Sequence, residues 1–321
     1  MLLGLAVVVS ANGEAAQYAS GFFSLGEKVV RSQALKLGFI RPSLDVMANL
    51  PKFNVPVVNK SDLPRSIDLR GTGFLPPIYS QGNLGSCTAN AGGAAVQYAI
   101  AKSGIKDFYP SRLFLYYYER AELGTTGTDS GAMLYNIPDV LKNKGICRES
   151  TWPYSDDICE PQARFKMEPS TEAINEALSH KIGMYHGLVN VETKNTDNPL
   201  DSLADLKTVL AGGTPVFFGF NWYPSFDKTI VNLDSSGIMP LPLNDGKAIT
   251  EESDDGHAVL AVGYDDTMSP PSIIIRNSWS HHWGQEGYGF MPQQFLTMQD
   301  KSGSACAGFY AIDEITINHK K

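Results

Sequence analysis

Cys87 ends the stretch QGNLGSC and opens the run CTANAGGAAVQYAIA, with Gln81 six residues before it. A thiol attacks carbon as its thiolate. A cysteine at the start of a helix lies at the positive end of the backbone dipole, which favours that anion. The alanine-rich run predicts such a helix from Cys87 to Ala101. Gly92 and Gly93 fall inside it, and each mid-helix glycine costs about 1 kcal/mol relative to alanine. The pair therefore predicts a neighbour packed close to the helix. A lone cysteine is more often a small buried residue, so the nucleophile reading needs partners.

A catalytic thiolate needs a base, and the base needs an orienting group. Six histidines are available. His257 heads the apolar run GHAVLAVGYDD, after an acidic loop. His281 and His282 sit together in a polar loop, and His180, His186 and His319 have no motif around them. Asn277 follows the apolar run SIIIR, with Trp279 two residues on. A neutral amide can hold an imidazole tautomer without adding charge, and an indole can keep water from that hydrogen bond. Acyl transfer builds an oxyanion that needs donors aimed at it. The Gln81 side-chain amide and the Cys87 backbone N–H are the expected donors, with Gly82 and Gly85 letting the loop fold back.

The elements that must position these residues fall in two groups. Helices are predicted at Cys87 to Ala101 and within PSRLFLYYYERAE, GAMLYNIPDVLKNKG, STEAINEALSH and SLADLKTVLAGG, from apolar spacing and N-terminal signals such as Pro110 and Ser111. Short β-branched or aromatic runs follow: TPVFFGFNW, HAVLAVGYDD, SIIIRNSW, GYGFM and FYAIDEITI. Helices first and strands later predict an α+β protein with two lobes.

At the N-terminus, Leu2 to Val9 and the small residues after them predict a signal peptide cleaved near Ala15. Residues 21–36 read as mostly helical, and Arg41 to Pro64 as an extended linker. Of the 4 cysteines, Cys147 and Cys159 are the expected pair if the compartment is oxidising, and Cys306 is expected to be small and buried. A net charge of −8 offers no basic surplus for nucleic acid. No run of Lys or Arg suggests a membrane surface, and no other apolar run approaches the roughly 20 residues of a membrane span.

The blocks QGNLGSC, GHAVLAVGYDD and NSWSHHWGQEGYGF, in this order, resemble the signature blocks of the papain-like cysteine peptidases. The resemblance reaches from LPRSIDLR to about Ile317, and TWPY at 151–154 resembles a further block. It implies a two-lobed fold with a cleft, a helical lobe mainly over 63–185 and a β-rich, barrel-like lobe mainly over 186–321. It implies Cys87 as nucleophile, His257 as base, Asn277 as orienting residue, Gln81 as oxyanion donor and Trp279 as shield. Residues 16–62 then match an inhibitory propeptide. Gly131, in TDSGAML, is the candidate cleft residue whose backbone pairs with substrate.

Departures accompany the resemblance. The family reads C-G-[SA]-C-[WY] at its nucleophile. Here Leu84 replaces the first cysteine, Thr88 the aromatic, and Ser280 alters NSWG. His257 and Asn277 lie further from Cys87 than the usual 130–150 residues or so. These changes imply a divergent, bacterial branch. The expected activity is endopeptidase hydrolysis without metal or cofactor, on peptides or proteins, by a secreted or periplasmic monomer. Acyl transfer or deamidation by the same residues, and an inert peptide-binding cleft, are the alternatives.

Overall fold

The computed structural model describes residues 36–42, 62–105, 107–159, 163–187, 199–231, 233–234, 236–244, 247–248, 255–300 and 303–317. The expected signal peptide, the N-terminal helix short of Lys36 and most of the expected linker lie outside these residues.

Five helices of seven or more residues are described: α1 (Cys87–Lys102), α2 (Arg112–Glu122), α3 (Asn136–Asn143), α4 (Thr171–Ala177) and α5 (Pro199–Ala211). Each falls on a run predicted to be helical. Ser111 caps α2 by accepting the Phe114 N–H at 3.1 Å, and Ser170 caps α4 from Ala173 at 3.2 Å. Helix α1 is buried from Cys87 to Ala101. Its glycines are explained by contact: a Cβ on Gly92 would fall 2.8 Å from Ile137 Cδ1 on α3, and one on Gly93 3.2 Å from Arg112 Cγ on α2.

The strands are β1 (Ser66–Asp68), β2 (His180–Gly187), β3 (Val216–Asn221), β4 (Leu243–Asn244), β5 (Lys247–Ala248), β6 (Gly256–Asp265), β7 (Ser272–Arg276), β8 (Tyr288–Pro292), β9 (Gln299–Asp300), β10 (Gly303–Ser304) and β11 (Cys306–Ile317). One antiparallel sheet runs β2-β11-β3-β6-β7-β8, with β1 paired to β6. β4-β5 and β9-β10 form small hairpins. β3 is buried throughout and β6 almost throughout, because α1 and α5 pack on this sheet and leave no solvent face that would impose alternation. Strands β1 and β2 were not among the predicted runs. β2, HKIGMYHG, mixes charged, apolar and glycine residues and shows no period, yet pairs along β11 and straddles the expected lobe boundary.

The suspected Cys147–Cys159 pair is not formed. All 4 cysteines are free thiols, with Cys147 buried and Cys159 exposed. The Cys147 carbonyl accepts the Ser111 N–H at 2.9 Å, which fixes that loop against α2, whereas the Cys159 N–H is held by Asp157 at 2.9 Å in an exposed turn. Cys306 is small and buried as expected.

Candidate active site

Cys87 is the first residue of α1. The preceding Ser86 does not cap the helix. Its hydroxyl lies 2.6 Å from the Tyr154 hydroxyl, and it accepts from Asn90 Nδ2 at 3.0 Å. The N–H groups of the first turn are thus left for other acceptors. Cys87 is fully buried, which pushes its thiol up to about 12. The backbone N–H groups of Ala258, Gly38 and Thr88 act on the sulfur in the opposite sense. Ala258 follows His257, so the sulfur lies beside the strand that carries the expected base.

His257, on β6, places Nε2 2.8 Å from Asn277 Oδ1. The same Oδ1 accepts the Ser278 N–H at 2.7 Å, which identifies it as the carbonyl oxygen. Nε2 therefore carries hydrogen in the neutral ring, and Nδ1 keeps a lone pair. Nδ1 is buried with no hydrogen-bond partner among the described residues. The ring stacks on Trp279 at 4.4 Å and 29°. Burial lowers the imidazole to about 4, against the opposing effect of its hydrogen bond to Asn277. The Trp279 indole meets Trp222 at 5.8 Å and Trp283 at 5.7 Å, both edge-on, so aromatic rings wall the side of the histidine away from the helix.

Gln81 joins the loop before α1 to the loop after β7. Its N–H donates to Ser278 O at 2.9 Å, and its Oε1 accepts from Ser278 Oγ at 2.7 Å. These contacts fix the amide orientation and aim Nε2 at Leu84 O and Lys36 O, both at 2.9 Å. Gly82 has φ 56, and a Cβ there would strike the Asp156 carboxylate at 1.9 Å. That carboxylate holds the Asn83 N–H at 3.1 Å. Asp129 holds the Gly85 N–H at 3.0 Å. Two carboxylates thus pin the loop that carries Gln81.

Residues 36–42 cross this site as an extended strap. Lys36 O takes the Gln81 amide. Gly38 and Phe39 donate to Gly256 O at 3.2 and 3.1 Å. Ala132 N–H donates to Gly38 O, and Ile40 N–H donates to Ala132 O, both at 2.8 Å. The resulting Phe39–Ala132 bridge is parallel. Gly131 has φ 74 beneath the strap, where a Cβ would fall 2.4 Å from Gly38 O. Gly131 thus lies beneath the strap, and its neighbour Ala132 pairs with it.

Sequence reasoning missed Ser278 and Tyr154. It also missed the contact beneath the nucleophile. Thr88 Oγ1 donates to Glu119 Oε2 at 2.9 Å, and both residues are fully buried. Burial pushes the Glu119 carboxyl up to about 8. Thr88 was noted only as a departure from an aromatic. That departure was the available signal, because a hydroxyl in a buried first turn needs an acceptor. Among the described residues no group of three or more His, Cys, Asp or Glu could hold a metal ion.

The sequence profile of the papain family cysteine proteases matches residues 63–305. An uncharacterized peptidase C1-like protein of Acanthamoeba polyphaga mimivirus is 33% identical over 257 residues, which are 78% of this chain and 74% of that protein. A cysteine protease of Arabidopsis thaliana is 30% identical over 235 residues, 70% of this chain; the chain spans about half of that protein, 54%. The crystal structure of xylellain, a cysteine protease from Xylella fastidiosa, superposes with a TM-score of 0.71 at 31% identity, over 90% of this chain and 99% of xylellain. The chain belongs to the papain family of cysteine proteases and is a cysteine-type peptidase.

Proposed function

We propose that the chain is an endopeptidase in which Cys87, His257 and Asn277 form the catalytic triad. The observation that supports this most strongly is the lone pair on His257 Nδ1. It is buried without a partner among the described residues, its tautomer is held by Asn277, and the Cys87 sulfur lies against the next residue of the same strand. The proton of Cys87 Sγ passes to His257 Nδ1. The thiolate adds to the peptide carbonyl, and the oxyanion takes hydrogen bonds from Gln81 Nε2 and the Cys87 N–H. His257 then gives its proton to the leaving amine, which leaves an acyl-enzyme. Water, deprotonated by His257, adds to the thioester, and a free acid departs as the thiol re-forms.

The strap fits an inhibitory segment. Lys36 O sits on the proposed oxyanion donor. Beneath it burial holds the thiol high and the imidazole low, so both groups stay neutral. Displacing residues 36–42 would admit solvent and allow the charged pair. Residues 1–15 as signal peptide, 16–62 as propeptide and 63–321 as the two-lobed peptidase domain complete the proposal, with secretion or periplasmic export of a monomer acting on peptide or protein substrates. Among the described residues no helix is long and apolar enough to cross a membrane.

The test follows hydrolysis of a denatured protein by full-length chain whose strap is loosened by Phe39→Ala and Arg41→Ala, with and without Cys87→Ala. Free-acid products that vanish with Cys87→Ala support the reading. New amide bonds would favour acyl transfer instead, and turnover unchanged in Cys87→Ala would refute the triad.

A further inference from the structure

The strap presents Phe39 and Arg41 two residues apart, which puts both on one side of an extended backbone. The Phe39 ring covers Gly219 on β3 and Gly256 on β6, where an added Cβ would fall 2.4 and 2.6 Å from ring carbons. Phe39 is 4% exposed there. Arg41 reaches Asn221, two residues beyond Gly219 and on the same face of β3. Its Nη1 donates to Asn221 Oδ1 at 3.4 Å and to the Ser304 carbonyl on β10. Asn221 is 4% exposed, and its Nδ2 donates to Asp300 Oδ2 on β9 at 2.7 Å. The Tyr223 hydroxyl donates to the same carboxylate oxygen at 2.6 Å. Burial and that carboxylate together raise the Tyr223 phenol.

The surroundings of the Arg41 guanidinium therefore offer a carbonyl and an amide oxygen, with a carboxylate behind the amide. The hydrogen bond from its Nδ2 to Asp300 orients Asn221 with its oxygen toward Arg41. Such a set of acceptors suits a side chain that only donates and carries positive charge, and it repels a carboxylate. A planar guanidinium, with five donors in a fixed fork, reaches divergent acceptors better than an ammonium does. The net charge of −8 adds a long-range pull on cationic peptides.

We infer that Asn221, Ser304 and Asp300 form a subsite for a basic side chain of the substrate, arginine in preference to lysine. It lies two positions from a large apolar residue seated over Gly219 and Gly256. The inference rests on the reading of residues 36–42 as an occupant of the substrate groove.

Binding, rather than turnover, tests it. The protein is full-length chain bearing Cys87→Ala, Phe39→Ala and Arg41→Ala, whose strap no longer fills either recess. The probes are fluorescein-labelled peptides KLGFIRP, KLGFILP and KLGFIEP, compared by anisotropy on the same protein. At low salt the arginine peptide is expected to bind at least tenfold more tightly than the glutamate peptide and several-fold more tightly than the leucine peptide. Asp300→Asn, or Asn221→Ala if that variant fails to fold, is expected to remove most of the preference. Equal affinities, or no measurable binding of the arginine peptide, overturn the subsite. A preference found when full-length chain bearing only Phe39→Ala and Arg41→Ala hydrolyses nothing supports the subsite and refutes the endopeptidase reading alone.

Discussion

Gln81 and His257 carry the sharpest expectations at the scale of single residues. The Gln81 amide is clamped by Ser278 at both its backbone and its Oε1, so its Nε2 direction is set before any substrate arrives. Loss of one preorganised oxyanion donor costs roughly 10²–10³ in kcat. Gln81→Ala is expected to lower kcat by that factor with little change in KM, read from steady-state kinetics on a peptide amide. His257 leaves a signature in stability. Its folded pKa is about 4, below the ordinary value of 6.5, so between these pH values the unfolded chain binds the extra proton. Stability is then full above pH 6.5 and falls toward pH 4, by about 1.4 kcal/mol per pH unit. Urea unfolding across this window is expected to show that slope in the stability difference between the native chain and His257→Gln, because Glu119 contributes the opposite slope to both.

At the scale of elements, Glu119 is the counterpart. It links α2 to the first turn of α1 through Thr88, and its folded pKa of about 8 lies above the ordinary 4.5. Here the folded chain holds the extra proton, so this contribution is complete below pH 4.5 and is lost as pH rises through 8. Glu119→Gln keeps the hydrogen bond from Thr88 without the charge, and is expected to flatten the loss of stability between pH 5 and 8. An unchanged slope would mean that the carboxyl is ionised throughout. The contact of α1 with α3 predicts a further effect. Gly92→Ala gains about 1 kcal/mol of helix propensity but drives a methyl to within 2.8 Å of Ile137. Overpacking of this kind costs about 1–3 kcal/mol. A melting temperature that is unchanged or lower is expected; a higher one would mean that Ile137 yields freely.

These elements were unevenly legible. The helix at Cys87, the strand at His257 and the Trp279 beside Asn277 could be read because each depends on local spacing. The close approach at Gly92 could be inferred because a costly glycine pair needs a reason. The Thr88–Glu119 contact depends on how two helices pack, and no local pattern records that. β2 was hidden because its pairing with β11 substitutes for a hydrophobic period. The Cys147–Cys159 pairing was suggested by nearness along the chain, but one side chain turns inward and the other toward solvent.

For the whole molecule, the helix that carries sulfur and the sheet that carries imidazole meet under the strap, and on the proposed reading the strap sets the charge state of the pair. Residues 36–42 have neither helical nor strand periodicity, so only the resemblance, through the expected propeptide over 16–62, pointed to a segment of this kind, and its contacts could not be read from sequence. They hold their position through four main-chain hydrogen bonds to Gly256 and Ala132 and through the side chains of Phe39 and Arg41. The most direct measurement is the rate of Cys87 alkylation by iodoacetamide between pH 5 and 9, followed by mass spectrometry. It compares the wild-type chain with Phe39→Ala/Arg41→Ala, each with and without His257→Ala. The strap variant is expected to react at pH 5–6 at least tenfold faster than wild type, and His257→Ala is expected to abolish that acid-side reactivity. A rate that rises only above about pH 8.5 in every protein, as for an ordinary thiol, would contradict a Cys87–His257 pair released by the strap.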